Sequence, residues 1–206
     1  GHMGTGQVGR QVVLAGWVDA LRDHGEVLFI HLRDQSGVVQ VVFSPESTDK
    51  AVCEQAENLR NEFCVRITGQ VVRRAEGTEN PNISTGDVEV SASGLQILSR
   101  SKTPPFPISE KSMLAGISVR QDHSVTEDLR LQYRYLDLRR PSMQDRLIKR
   151  HAISRTIRNF LDEQGFIEVE TPMLTRSTPE GARDYIVPSR HHPRTFYALP
   201  QSPQLF

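Results

Sequence analysis

Five short runs rich in β-branched and aromatic residues fill the first half of the chain, and they leave room for little except a small closed sheet. They are QVVLAGWVD (Gln11 to Asp19), VLFIHLRD (Val27 to Asp34), VVQVVFS (Val38 to Ser44), FCVRITGQVVRRA (Phe63 to Ala75) and DVEVSASGLQIL (Asp87 to Leu98). Residues of these types fit a pleated, half-buried surface. Gln35-Ser36-Gly37 turns the chain between the second run and the third, and Glu46 to Asn61 has a helical composition.

A three-strand meander, one helix and two further strands is the order of the five-stranded Greek-key barrel called the OB-fold. An SH3-like barrel shares the periodicity, but the helix between strands three and four favours the former. Alternation then assigns faces, because successive side chains on a strand point to opposite sides. Leu28, Ile30 and Leu32 form one apolar set, and Val39, Val41 and Phe43 another. Opposite them lie Val27, Phe29, His31, Arg33 and Gln40, so Phe29 and Gln40 are expected side by side on the outside. An aromatic beside an amide and cations suits stacking and hydrogen bonding of single-stranded bases. The plainer reading is that Phe29 covers the barrel mouth.

Ser99 to His123 contains Pro104, Pro105 and Pro107 and reads as an extended linker. Ser124-Val125-Thr126-Glu127 is a capping-box pattern expected to open a helix through Leu138. Pro141 suits the first turn of another helix, in which Leu147, Ile148, His151, Ile153, Ile157, Phe160 and Leu161 recur at helical spacing until Gly165. Phe166 to Val169 is expected as a short strand, broken by Thr171-Pro172. The organisation expected is therefore a barrel over 4–98, a linker over 99–123 and a second domain over 124–206. The chain stops at Phe206 within an apolar stretch, which suggests a longer protein.

Composition narrows the classes. At 206 residues and 37% hydrophobic the chain can bury a core, as one large domain or two small ones. No run approaches the roughly 18 apolar residues of a membrane span, and no secretory leader is visible. A cytoplasmic protein with no membrane partner is expected, with Cys53 and Cys64 as reduced thiols lacking any metal-ligand spacing. Gly1-His2-Met3 reads as the remnant of a cleaved tag. The formal net charge is zero, yet residues 1–98 hold 8 basic and 13 acidic side chains, whereas 99–206 hold 17 and 12. The cations are 21 Arg to 4 Lys, either a lineage bias or a preference for bidentate phosphate and carboxylate recognition. From Arg130 to Arg158 nine basic residues meet only Asp137 and Asp145, a density that suits nucleic acid or a subunit contact more than a solvated face.

Four runs in the second half, RYLDLRRP (Arg134 to Pro141), GFIEVETPMLT (Gly165 to Thr175), STPEGARDYIVPSR (Ser177 to Arg190) and FYALPQSPQLF (Phe196 to Phe206), resemble the bacterial aspartyl-tRNA synthetases, members of class II. GWVDALRDHGEVLFIHLRDQSGVVQVVF (Gly16 to Phe43) is similar to their anticodon-binding domain. The resemblance implies an α+β protein, with an N-terminal five-stranded OB-fold β-barrel, a linker and the truncated start of a class II antiparallel α/β catalytic domain. It implies attachment of L-aspartate to tRNA(Asp) through an aspartyl-adenylate, with ATP and Mg2+, by a cytoplasmic homodimer. Such chemistry rests on positioning and charge stabilisation, and no catalytic nucleophile is expected within this stretch.

Residue by residue, the resemblance places Glu180, Gln204 and Ser202 at bound aspartate. Thr175 to Gly181 would be a closing loop and Pro172 a dimer-interface residue. Anticodon contacts fall on Arg22, Phe29, Gln40, Asn80 and Glu89, with Gln40 reading the central U. Val42 departs from the family's second aromatic, and Phe43 is the neighbour expected to cover part of that stacking layer. His24 in RDHG and Gly77 in AEGTEN match relatives that also charge tRNA(Asn), the nondiscriminating kind. PEGARD and QSPQLF favour the aspartyl enzyme over the asparaginyl and lysyl ones. Because the arginines that grip ATP would lie beyond Phe206, the stretch alone is expected to bind the anticodon without forming the adenylate. The competing reading is a stand-alone OB-fold tRNA-binding module with an inactive extension.

Overall fold

The computed structural model describes residues 3–109, 125–177 and 183–206, which fall into two compact units, 1–147 and 148–206. The first unit holds the barrel: β1 (Gln11–His24), β2 (Val27–Asp34), β3 (Gly37–Phe43), α1 (Lys50–Glu57), β4 (Cys64–Arg73) and β5 (Val88–Ser99). The strands close in the order β1-β2-β3-β5-β4. Neighbours are antiparallel except β3 and β5, which meet in parallel through Val41 with Val90 and Val42 with Ser91. This is the OB-fold order expected from the strand pattern.

β1 is longer than Gln11 to Asp19 because it serves two neighbours. Its first half pairs with β4 and its second with β2, and the register shifts between Val18 and Ala20. A bulge there bends the strand so that one ribbon turns a barrel corner. Gly16 lies just before the bend, where a Cβ would come within 2.5 Å of the Arg33 carbonyl oxygen, so only glycine admits that approach. At the bend Arg33 is clamped by Asp19 and by both oxygens of Glu62, at 2.9 and 2.7 Å.

The core is the alternating set: Val18, Ile30, Val41, Phe43, Val65, Ile67, Val71 and Val90 are all buried. Phe43 therefore faces inward and cannot extend a base-stacking layer outside. Helix α1 is shorter than the expected Glu46 to Asn61. Its upstream segment is held instead by turns, with the Thr48 amide donating to the Ser44 carbonyl and the Thr48 hydroxyl to the Ala92 carbonyl at 2.6 Å. A side chain that satisfies a buried carbonyl competes with helix formation.

Beyond β5 the chain is not a bare tether, since Phe106 and Ile108 are buried. The next helix is capped by Thr126, whose hydroxyl accepts from the Leu129 amide, and Ser124 lies outside the described residues. It does not run unbroken to Leu138 but divides into α2 (Glu127–Gln132) and α3 (Arg134–Asp137) at Tyr133. The tight turn converges three cations on Asp137: Arg130 and Arg134 hydrogen-bond its carboxylate, and Arg140 lies 3.8 Å away. Arg139 covers the Trp17 ring at 5.5 Å, joining this turn to β1.

α4 (Pro141–Glu163) follows and stops at Gly165 as expected, with the Phe166 amide returning to the Leu161 carbonyl. Most of its apolar positions remain exposed, among them Ile148, Ile153, Ile157 and Phe160. Phe166 to Val169 is not a strand: no described segment pairs with it, and a strand exists only through its partner's hydrogen bonds. In the second unit β6 (Ile186–Pro188) pairs with β7 (Phe196–Ala198), and Thr175 bridges to Ala198. No described helix is long and apolar enough to cross a membrane.

Burial alone would raise the Asp137 pKa, but the hydrogen bond and charge of Arg130, with the charges of Arg134 and Arg140, outweigh it and hold the group below its ordinary value. Its folded pKa lies below the unfolded one, so its stabilisation is complete above about pH 4 and fades as pH falls through the lowered pKa. Asp137→Asn should cost about 2 kcal/mol at neutral pH and flatten that part of the acid limb. Thermal melts of both proteins across the acid range check it.

Candidate nucleic-acid interface

Six residues singled out in the sequence meet at one place on the barrel. Arg22 and His24 come from the far arm of β1, Phe29 from β2, Gln40 from β3, and Gly77 and Asn80 from the β4–β5 loop. Together with His31, Arg74, Thr78 and Glu79 they line a groove of about 360 Å3. Glu89 on β5 is one hydrogen bond away, accepting from the Gln40 amide nitrogen at 2.7 Å.

Strand register explains the gathering. Arg22 faces Phe29 across β1 and β2, Phe29 faces Val42 across β2 and β3, and His31 faces Gln40. Phe29 is half-buried, with the His24 ring meeting it edge to face at 5.6 Å and 86°. Such an edge contact steadies one ring while leaving a face of it available. Val42, at the position opposite Phe29, supplies apolar contact but no second ring.

The β4–β5 loop is closed by the Asn80 amide donating to the Gly86 carbonyl, and by Asn80 Oδ1 accepting from the Asn82 amide. Gly77 sits at φ 83°, the left-handed region where a side chain is strained, and its amide donates to Glu79. The Asn80 side chain is thus already committed on its oxygen and presents its NH2 group.

Four residues of the groove, His31, Arg74, Thr78 and Glu79, were not singled out by the sequence reasoning. Arg74, just past the end of β4, is buried; its guanidinium donates to the carbonyls of Val88 and Thr78 at 3.3 Å, and its Nη2 has no partner among the described residues. Burial lowers its pKa, with the nearby Arg22 adding to the effect against Glu89, Asp87 and Glu79. Burial lowers that of Arg22 as well. Two partly desolvated guanidiniums converging on one groove suit an electron-rich or anionic ligand. His31 is also buried, 4% exposed, and faces Gln40 directly across β2 and β3. Its period-two relation to Phe29 was visible in the sequence, whereas the position of Arg74 depends on where β4 ends.

The residues matched to aspartate recognition lie in the second unit. Ser202 caps the 3-10 turn Pro203–Leu205, its hydroxyl accepting from the Gln204 amide at 3.2 Å. Gln204 and Pro172 are exposed. Asp184 accepts from Ser177 and from Gln201, both at 2.8 Å, tying the two ends of this segment together. Glu180, with most of the expected closing loop, lies outside the described residues.

Residues 12–98 match the family described as OB-fold nucleic acid binding domain, and 126–206 match tRNA synthetases class II (D, K and N). Among curated relatives, the chain is 62% identical to Aspartate--tRNA(Asp/Asn) ligase 1 of Syntrophus aciditrophicus over 100% of its length, and 55% identical over 97% to the Aspartate--tRNA(Asp/Asn) ligase of Syntrophomonas wolfei. It spans 28% and 32% of those proteins. Among solved structures, the asparaginyl-tRNA synthetase of Pyrococcus horikoshii with asparaginyl-adenylate superposes with a TM-score of 0.75 at 25% identity, over 97% of this chain and 41% of that one.

Burial is the largest influence on His31 and lowers its pKa; Arg74 and Arg22 lower it further, while Asp19 and the Gln40 hydrogen bond oppose them. A histidine held neutral in the folded state binds its proton more readily unfolded, so stability falls as pH drops below about 6.5 toward the lowered value. Replacing His31 by Leu should remove this contribution, giving a flatter stability profile in that window by thermal melting.

Proposed function

We propose that this chain, which belongs to the class II tRNA synthetases and within them to the aspartate–tRNA ligases, reads the tRNA anticodon in its barrel groove. The protein it belongs to would then join aspartate to that tRNA. The observation that carries the reading is the convergence of Arg22, His24, Phe29, Gln40, Gly77 and Asn80 on one groove. Sequence spacing scatters these residues over three strands and a loop.

Phe29 offers a ring on which one unstacked base lies, and Gln40 presents both a donor and an acceptor to a base edge. Arg22 and Arg74 supply positive charge at the groove, compensating locally for a barrel whose sequence is acidic in sum. In the second unit Ser202, Gln204 and Glu180 would belong to the aspartate pocket, with Pro172 at a homodimer contact. ATP and Mg2+ would be used by the whole protein. Among the described residues no three His, Cys, Asp or Glu side chains cluster to hold a metal ion, and we assign none of them to Mg2+. The match of 126–206 to the catalytic family weighs against a barrel acting only as a free-standing binding module.

His24 and Gly77 flank the groove, and with the Asp/Asn names of the relatives they favour acceptance of tRNA(Asn) as well as tRNA(Asp). The two tRNAs differ in the third anticodon base, so relaxed reading there is a matter of loop contacts.

Phe29→Ala should weaken binding of an aspartate anticodon stem-loop by roughly 1–3 kcal/mol without changing the melting profile of the barrel. Fluorescence anisotropy measures it, and undiminished affinity counts against the stacking role. In aspartylation assays with the whole protein, both tRNA(Asp) and tRNA(Asn) should be charged; strong rejection of tRNA(Asn) would sink the relaxed-specificity reading.

A further inference from the structure

Gln40 is flanked on both sides. On one its Nε2 donates to Glu89 at 2.7 Å, and on the other it faces the buried His31, its direct partner across β2 and β3. A carboxylate accepts only, so the group facing Glu89 has to be the amide nitrogen. The amide oxygen is then left for the donor on the other flank, the ring N–H of His31. An isolated glutamine amide has two orientations that exchange oxygen for nitrogen; between an acceptor and a donor only one of them satisfies both neighbours. His31 and Gln40 are direct cross-strand partners on β2 and β3, and Glu89 lies on β5, which pairs in parallel with β3. The three residues are therefore placed by the barrel closure rather than by a flexible loop.

The geometry points to His31 as a positioning residue that, with Glu89, locks the amide of Gln40 in one orientation and thereby makes the groove distinguish uracil from cytosine. It rests on the proposed reading, in which an unstacked pyrimidine meets Gln40. With one N–H given to Glu89 and one lone pair taken by His31, Gln40 keeps one N–H and one lone pair for the base, in a fixed order. Uracil presents the acceptor O4 beside the donor N3–H. Cytosine presents a donor at N4 beside the acceptor N3, the same two groups in reverse. A locked amide fits the first order and opposes like with like in the second, leaving unpaired polar groups in a desolvated groove. An amide free to flip accommodates both. His31 therefore acts on discrimination more than on affinity, without touching the base.

The test uses the 206-residue chain and two short stem-loop RNAs identical except for U or C at the central anticodon position. The wild type should prefer the U loop. His31→Leu should shrink the U-to-C affinity ratio about tenfold, a change of the size expected for losing one oriented polar contact, while affinity for the U loop changes less. His31→Gln, which keeps an N–H donor, should restore much of the ratio. An unchanged ratio in His31→Leu, against a wild type that does discriminate, overturns the lock while leaving the anticodon reading intact. Equal ratios in the Leu and Gln variants also overturn it. A wild type that binds both loops alike overturns the inference together with the reading beneath it. Should Leu prevent folding, Glu89→Gln probes the lock from its partly exposed end: an amide there can donate as well as accept, so the ratio should again fall, and an unchanged ratio overturns the proposal.

Discussion

Everything in the barrel depends on one strand serving two neighbours. β1 pairs with β4 before its bend and with β2 after it, and no closed five-stranded sheet forms unless that bend is made. Bending a strand breaks the regular ladder, and the energetic question is what holds the irregular stretch. The molecule answers with a backbone contact that only Gly16 permits and with the Arg33 guanidinium bound by Asp19 and Glu62. These ion-pair side chains are mostly buried, at 15% and 9% exposure. Pairing in such a place is costly to break more than it is valuable in itself, because removal of one partner strands the other. The bend also shapes the groove, because it carries Arg22 and His24 across to lie against Phe29.

The groove is built mainly from side chains whose polar atoms are already spoken for. Asn80 has its oxygen in a turn, Gln40 has its nitrogen on Glu89, and Arg74 has two of its three nitrogens on carbonyls. What remains unsatisfied is a small set of groups in defined directions, the buried Nη2 of Arg74 among them. A surface of mobile polar chains would order itself on binding and lose rotamer freedom in doing so. Here much of that ordering is complete before a ligand arrives.

The barrel was legible because its signal is periodic and local. Val39, Val41 and Phe43 are inward and Gln40 outward as alternation requires, and the strand order followed from one helix in one place. Alternation already set Phe29 beside Gln40, but the addition of Arg22 and Asn80 was legible only through resemblance, since their spacing says nothing about proximity until the register is known. Arg74 and His31 escaped for different reasons. Arg74 lies past the last regular residue of β4, where period-two reasoning ends, and an arginine there reads as solvated. His31 had the right parity, but a histidine on a polar face looks exposed, and its burial comes from neighbours on other strands. Phe166 to Val169 shows the opposite failure: its composition suits a strand, yet pairing is a property of two segments, and no described strand pairs with this one.

The charge balance takes on meaning at this level. Bulk attraction to phosphate confers affinity but no sequence preference, and it weakens as salt rises. On the proposed reading, a barrel acidic in sum gains little from long-range pull and would bind through what the groove offers at contact. Arg22 and Arg74 are cations placed where a base or phosphate would enter, with their desolvation already incurred in the fold. An excess of negative charge elsewhere on the barrel disfavours polyanions that do not fill the groove, since they meet the repulsion without the compensating contacts. Weak general attraction and a groove with few unsatisfied groups would thus work in the same direction: on the proposed reading both leave discrimination to the few hydrogen-bonding groups whose order is fixed by closure of the sheet.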